Sequence, residues 1–169
     1  MLALPYDCGN ADTLELFREG FRFVDRADGP FGDARPIPAA ALRNRPLLLL
    51  EDGHCLRDHA LAACRLPRRA EGEAFAATSL HTLVQMAANG FGGTLLPDMA
   101  IEAGILKGTG LVAHDLEGER ATRRIGLAWR RGTRRREEFA LLGRAMLEVG
   151  RRGYAGGTGR LRPSSSRAT

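Results

Sequence analysis

Lysine is nearly absent from this 169-residue chain: Lys107 is the only one among 25 basic residues, so the net charge of +5 is carried by arginine, much of it beyond Arg120. Such a balance permits acidic or nucleic-acid partners without requiring either. Long apolar runs are also missing. Residues 47–50, Leu-Leu-Leu-Leu, are typical of the uninterrupted stretches, far short of the roughly 20 residues that cross a bilayer, which excludes a membrane-spanning helix and leaves no membrane partner expected. The opening Met1-Leu-Ala-Leu-Pro-Tyr-Asp has no basic leader, sustained apolar region or small-residue cleavage site, so a cytoplasmic location is expected. Paired C-x-x-C and H-E-x-x-H spacings are lacking, and no metal is expected. Gly90, Gly92 and Gly93 lack the spacing and the preceding strand of a dinucleotide fingerprint. They suit a helix stop and tight turn, and no cofactor is expected. No internal repeat is present.

What is there is a globular composition, 44% apolar and 27% charged, at a length that suits one ordinary domain. Residues 1–6 read as a strand, 8–12 as a loop and 21–25 as a strand. Residues 47–50, between Pro46 and Glu51-Asp52, fit a strand buried on both faces. Asp52-Gly53 marks a turn, and 54–64 a helix. Residues 73–77 form a strand. Thr78 or Ser79 then caps a helix that buries Leu80, Leu83, Val84 and Ala87 and stops at Asn89-Gly90. Residues 93–97 are extended, 99–103 a short helix, 111–116 extended and 125–129 a strand. Phe139, Leu142, Ala145, Met146 and Val149 recur at helical spacing and predict an amphipathic helix from about Arg135 to Gly150. Beyond Arg151, Gly, Arg and Ser dominate, a composition that buries no core and predicts a disordered tail over 151–169. Alternating strands and helices predict an α/β domain with a largely parallel sheet.

The chemistry concentrates in Glu51-Asp52-Gly53-His54-Cys55-Leu56-Arg57-Asp58-His59-Ala60-Leu61-Ala62-Ala63-Cys64. A helix beginning near Gly53 or His54 puts Cys55 in its first turn, where unpaired backbone N–H groups and the positive dipole end favour a thiolate. His54 and Arg57 add positive character, and such surroundings can lower a thiol pKa well below about 8.5. Cys64 lies nine residues further on. An intact helix would hold the two Cα atoms roughly 13 Å apart on nearly opposite faces, whereas a disulfide needs them within about 7 Å. A bond between them would require the helix to unwind. Two other readings stay open at this level. Cys64, after Ala62-Ala63, suits an ordinary buried cysteine, and Cys55 and His59 stand one turn apart as a metal pair would.

These residues carry a resemblance. Residues 47–58, Leu-Leu-Leu-Leu-Glu-Asp-Gly-His-Cys-Leu-Arg-Asp, followed by Cys64, closely resemble the redox segment of hydrogen-peroxide-inducible LysR-type transcription activators, the OxyR group. The likeness continues through Ala77-Thr78-Ser79-Leu80, Gly93-Thr94-Leu95-Leu96-Pro97 and Arg124-Ile125-Gly126-Leu127, and covers roughly residues 1–150. It implies a non-enzymatic regulatory domain of two Rossmann-like lobes, periplasmic-binding-protein-like (type II). The first lobe would be partial, with its crossing strand in 1–9 and a return over 123–150; the second, 10–122, would be nearly complete, with the redox segment at 51–64. Peroxide would oxidise Cys55, and Cys64 would resolve the product into a disulfide, with His54, Arg57 and Asp58 in support. Implied partners are hydrogen peroxide, a reductant of the glutaredoxin or thioredoxin type, and further copies in a dimer or tetramer. Promoter DNA would be reached only through a winged helix-turn-helix outside these residues. Cys8 matches no redox position of the family and reads as structural.

Two further functions compete. A thiol peroxidase could use the same cysteine pair. An effector domain of another LysR-type regulator could hold an anion at the helix start, Thr78-Ser79. The run Arg130, Arg131, Arg134, Arg135 and Arg136 could meet phosphate, although such runs are more often solvated faces.

Overall fold

The computed structural model describes residues 2–4, 9–32, 36–67, 76–117 and 122–153. The expected role of Cys8, residues 73–75 of the expected strand and residues 154–169 of the expected tail lie outside them. The chain divides into two compact units, Met1–Glu19 with Arg123–Thr169, and Gly20–Thr122. The strand β2 (Ala11–Arg26) contributes to both.

In the first unit β1 (Leu2–Leu4) pairs antiparallel with β7 (Thr122–Arg130), Ala3 opposite Ile125. Ala3, Leu4, Leu16, Ile125 and Leu127 are buried. The helix α4 (Arg136–Gly153) lies close to the strands through Gly143, where a Cβ would meet Leu14 at 2.5 Å. The strand β2 begins ten residues before the expected Phe21. Its charged residues hide the alternation, and two of them take partners on a distant segment. Arg123 Nε donates to buried Glu19 at 2.7 Å, and Arg124 reaches Glu15 at 3.4 Å. Sequence shows the charges but not the strand that neutralises them.

The second unit is built on a mixed sheet rather than the largely parallel one expected. The strand β3 (Leu47–Leu50) runs parallel to β4 (Ala76–Ala77) and to β5 (Gly93–Pro97). Parallel neighbours need crossover connections, and the helices α1 (Cys55–Ala63) and α2 (Leu80–Ala88) lie on those connections. The strand β2, from Phe21, is antiparallel both to β5 and to β6 (Leu111–His114). A short helix, α3 (Asp98–Glu102), follows β5 directly. Antiparallel pairing depends on which strands become neighbours, which local pattern does not encode.

The four leucines of β3 divide the core. Leu47 and Leu49 join Phe21, Phe23, Ala60, Leu61, Cys64 and Leu95 on one face. Leu48 and Leu50 join Ala77, Leu83 and Ala87 on the other. The side-chain period of two therefore places α1 and α2 on opposite sides of one strand. Among the described residues of this unit, Asp25, Thr94 and His114 are buried polar residues, and each makes a hydrogen bond. Thr94 Oγ1 donates to the Leu48 carbonyl at 2.9 Å, and His114 Nε2 stands 3.0 Å from Asp25 Oδ1. Burial pushes the Asp25 carboxyl above the usual range, while the His114 contact opposes that shift.

The tightest point of this core is Gly93, where a Cβ would sit 2.1 Å from Phe23 Cζ in a fully packed site. Gly93→Ala should therefore destabilise the protein by about 1–3 kcal/mol through overpacking, read as a lower urea midpoint. An unchanged midpoint would mean that the Phe23 ring can move aside freely.

Candidate redox site

The site starts with a turn. Glu51 N–H donates to the Ala77 carbonyl at 3.1 Å, tying the end of β3 to β4, and His54 N–H returns to the Glu51 carbonyl at 3.3 Å. Gly53, third in this four-residue turn, has φ +90°, a conformation that favours glycine at that position. The turn delivers His54 as the residue before α1, in extended conformation and with no side-chain hydrogen bond to the helix start. Cys55 is the first residue of the helix and is exposed. Its thiol thus lies where backbone N–H groups remain unpaired and the dipole is positive.

Arg57 and Asp58 also occupy the first turn, both half-buried. Arg57 is held by Asp52, Nη1 to Oδ1 at 2.6 Å. Because Asp52 is largely exposed, the pair contributes under about 1 kcal/mol to stability, and its effect is to orient the guanidinium beside the turn. Asp52 entered the sequence reading only as a turn residue. Its spacing to Arg57 across a turn, rather than along a helix face, left no periodic signal.

Cys64 sits at the opposite end, as the residue that closes α1. Its N–H donates to the Ala60 carbonyl at 3.0 Å, and it is 3% exposed among Ala60, Leu61 and Leu66 and the β3 leucines. Burial pushes its thiol up to about 12 from an ordinary 9.0. At neutral pH it is a protonated, enclosed thiol. With residues 55–63 helical, the two Cα atoms are about 13 Å apart, beyond the reach of a disulfide. The structure thus brings His54, Cys55, Arg57 and Asp58 to one helix start and keeps Cys64 away from them.

The other sites resolve differently. Ser79 Oγ accepts the Thr82 N–H at 3.2 Å and shares a 2.9 Å hydrogen bond with the Thr82 hydroxyl, so it caps α2, while Thr78 is exposed beside it. Arg131 and Arg135 of the arginine run pair with Asp12 and Glu138. Among the described residues no group of three His, Cys, Asp or Glu could hold a metal, and no helix is long and apolar enough to cross a membrane.

Residues 3–151 match the family described as LysR substrate binding domain. A "probable hydrogen peroxide-inducible genes activator" of Streptomyces viridosporus is 39% identical over 153 residues, 88% of this chain and 48% of that protein. The chain thus spans about half the length of the curated relatives it matches. The reduced regulatory domain of OxyR2 from Vibrio vulnificus is 38% identical with a TM-score of 0.77, over 88% of this chain and 70% of that one. A hydrogen-peroxide-bound OxyR mutant of Corynebacterium glutamicum is 30% identical with a TM-score of 0.78, over 91% of this chain and 49% of that one.

Two outcomes follow from the unequal cysteines. Brief iodoacetamide treatment of the reduced protein should label the Cys55 peptide and leave Cys64 unlabelled until urea is added; equal labelling in buffer would contradict the burial. The raised Cys64 pKa also makes stability pH-dependent. Since the folded value exceeds the unfolded one, the contribution is complete below about pH 9 and is lost as pH rises toward 12. The urea-midpoint advantage of wild type over Cys64→Ala should therefore shrink from about pH 9 upward. A pH-independent difference would show that the thiol is not enclosed.

Proposed function

The chain belongs to the LysR substrate-binding domain family, with the periplasmic-binding-protein-like fold of OxyR regulatory domains, and we propose that it is the peroxide-sensing part of a LysR-type transcription regulator that switches through a Cys55–Cys64 disulfide. The observation that carries this reading is the placement of the two thiols: one exposed at the helix start, the other enclosed at the helix end.

The chemistry balances with hydrogen peroxide alone. The Cys55 thiolate attacks one peroxide oxygen, the O–O bond breaks, and the second oxygen leaves as water after taking a proton. Cys55 is then a sulfenic acid. Cys64 attacks that sulfur, the S–O bond breaks, and a second water leaves. Two thiols and one peroxide become one disulfide and two waters. His54 and Arg57 support the first step, as donors to the leaving oxygen and as positive charge beside the thiolate, and Asp58 helps orient the arginine. The second step requires α1 to open, since its ends cannot meet while it is helical.

In this reading the second unit is the lobe that bears the switch, and the first unit is part of the other lobe. The protein acts in the cytoplasm, and a thiol reductant of the glutaredoxin or thioredoxin type resets it. The rebuilt segment alters packing between copies in a dimer or tetramer. Promoter contact falls to a winged helix-turn-helix outside these residues. No catalytic turnover is assigned.

One equivalent of peroxide added to reduced protein, followed by peptide mapping, should give the Cys55–Cys64 disulfide; Cys64→Ser should stop at Cys55 sulfenic acid, trapped with dimedone. An unmodified Cys55, or a bond from it to Cys8, would overturn the sensor reading. Sustained peroxide consumption with a thiol reductant would instead favour a thiol peroxidase.

A further inference from the structure

Three helices of the second unit end in the same way, and one of them breaks its local rule. After α2, Phe91 N–H donates to Met86 and Gly90 N–H to Ala87, at 3.2 and 3.0 Å. After α3, Ile105 N–H donates to Ala100 and Gly104 N–H to Ile101, at 3.2 and 2.9 Å. These are Schellman motifs, in which the residue after the cap takes a left-handed conformation that glycine adopts without strain. Gly90 and Gly104 have φ +83° and +87°.

After α1 the bonds repeat: Leu66 N–H to Leu61 at 2.9 Å and Arg65 N–H to Ala62 at 3.1 Å. Leu61 and Leu66 are both buried in one core cluster, the apolar contact that accompanies the motif. The left-handed position is filled by Arg65, φ 51°, the one non-glycine with positive φ among the described residues. An L-residue with a Cβ is disfavoured there.

The other end of α1 is also poorly secured. His54 makes no side-chain cap, whereas Ser79 caps α2, a helix of the same nine residues. A helix this short depends on its ends and its packing, because its own propensity does not sustain it.

We propose that Arg65 is a strained helix cap that tunes the redox equilibrium of the cysteine pair, by lowering the cost of releasing Cys64 from its pocket. The inference rests on the disulfide reading above. Arg65 touches no reacting atom and acts as a positioning residue through the backbone of its neighbour. The strain exists only while the Schellman motif exists. It therefore destabilises the reduced helical state and vanishes when the segment is rebuilt by the bond.

The test is a thiol–disulfide equilibrium in glutathione buffers with Arg65 replaced in three ways. Arg65→Gly removes the Cβ and should shift the equilibrium about fivefold toward the dithiol, after allowing for the extra freedom of glycine in the opened segment. That corresponds to a reduction potential about 20 mV more positive. Arg65→Ala removes the guanidinium but keeps the Cβ, and should stay within about twofold of wild type. Arg65→Asn should fall between, since Asn tolerates this conformation better. Backbone hydrogen exchange at Leu66 in the reduced protein should slow most in the glycine variant, less in the asparagine variant and not in the alanine variant. Equal shifts for Ala and Gly would assign the effect to charge and overturn the strained cap, as would no shift in any variant. Disulfide mapping of the wild type separates the two readings. If Cys55 and Cys64 do not pair there, the sensor reading fails and this one with it; if they pair and the substitutions behave alike, only the strained cap fails.

Discussion

A disulfide and the reduced α1 helix cannot exist together. Bridged Cα atoms must lie within about 7 Å, and a helix holds positions nine apart at about 13 Å on opposing faces. Cys55 faces solvent and Cys64 faces the core for the same geometric reason: nine steps of about 100° are half a turn out of phase. The exposure difference that makes one thiol available and the other inert is thus a property of the spacing, once one face of the helix is apolar. The burial of Ala60 and Leu61 beside Cys64 supplies that apolar face.

The sheet confines the consequences. Because consecutive leucines of β3 point to opposite faces, α1 packs on Leu47 and Leu49, while α2 packs on Leu48 and Leu50. The two layers meet α1 unequally: Ala60 and Leu61 are buried in the Leu47–Leu49 layer, and Leu56 alone of the helix also packs against the Leu48–Leu50 layer. The two helices have equal length but different ends: a serine cap and a glycine stop for α2, an uncapped start and an arginine in the left-handed position for α1. The two helices are therefore secured unequally across one strand, and the less secured one carries Cys55 and is closed by Cys64. The proposed opening of α1 would fit the general tendency of moving elements to come from the least stable parts of a fold.

Much of this was legible in the chain. The four-leucine run, the helix that follows it, the stop at Gly90 and the capping role of Ser79 are local signals, written in apolar periodicity and turn chemistry, and the structure contains each of them. Features that arise from pairing were not legible. The early start of β2 was hidden by Glu15 and Glu19, which take partners more than a hundred residues away on β7, Glu15 in addition to nearby Arg18. The antiparallel course of β2 beside β5 and β6 depends on which strands come together. Asp52 as the partner of Arg57, and Arg65 as a left-handed residue, left no trace because neither follows a periodic rule. Arginine after a helix reads as a favourable charge near the negative end of the dipole. Only the backbone reveals that it occupies a glycine position.

The electrostatics set an order for the proposed chemistry. Cys64, with its thiol pushed up to about 12, holds its proton in the pocket and is a poor nucleophile there. In the proposed order peroxide meets Cys55 while α1 is still folded, because that fold supplies the helix-start N–H groups and holds Arg57 on Asp52 in the same turn. Only when Cys64 leaves the pocket does its pKa return toward the ordinary thiol range and its sulfur become competent to resolve the oxidised partner. The same burial that suppresses premature reaction of Cys64 makes its release costly. A fold that enclosed this residue more firmly would protect it better and respond more slowly. In the proposed scheme a helix with two weak ends would lower that cost without opening the pocket, so that Cys64 stays enclosed in the resting state and is still reached after Cys55 is oxidised.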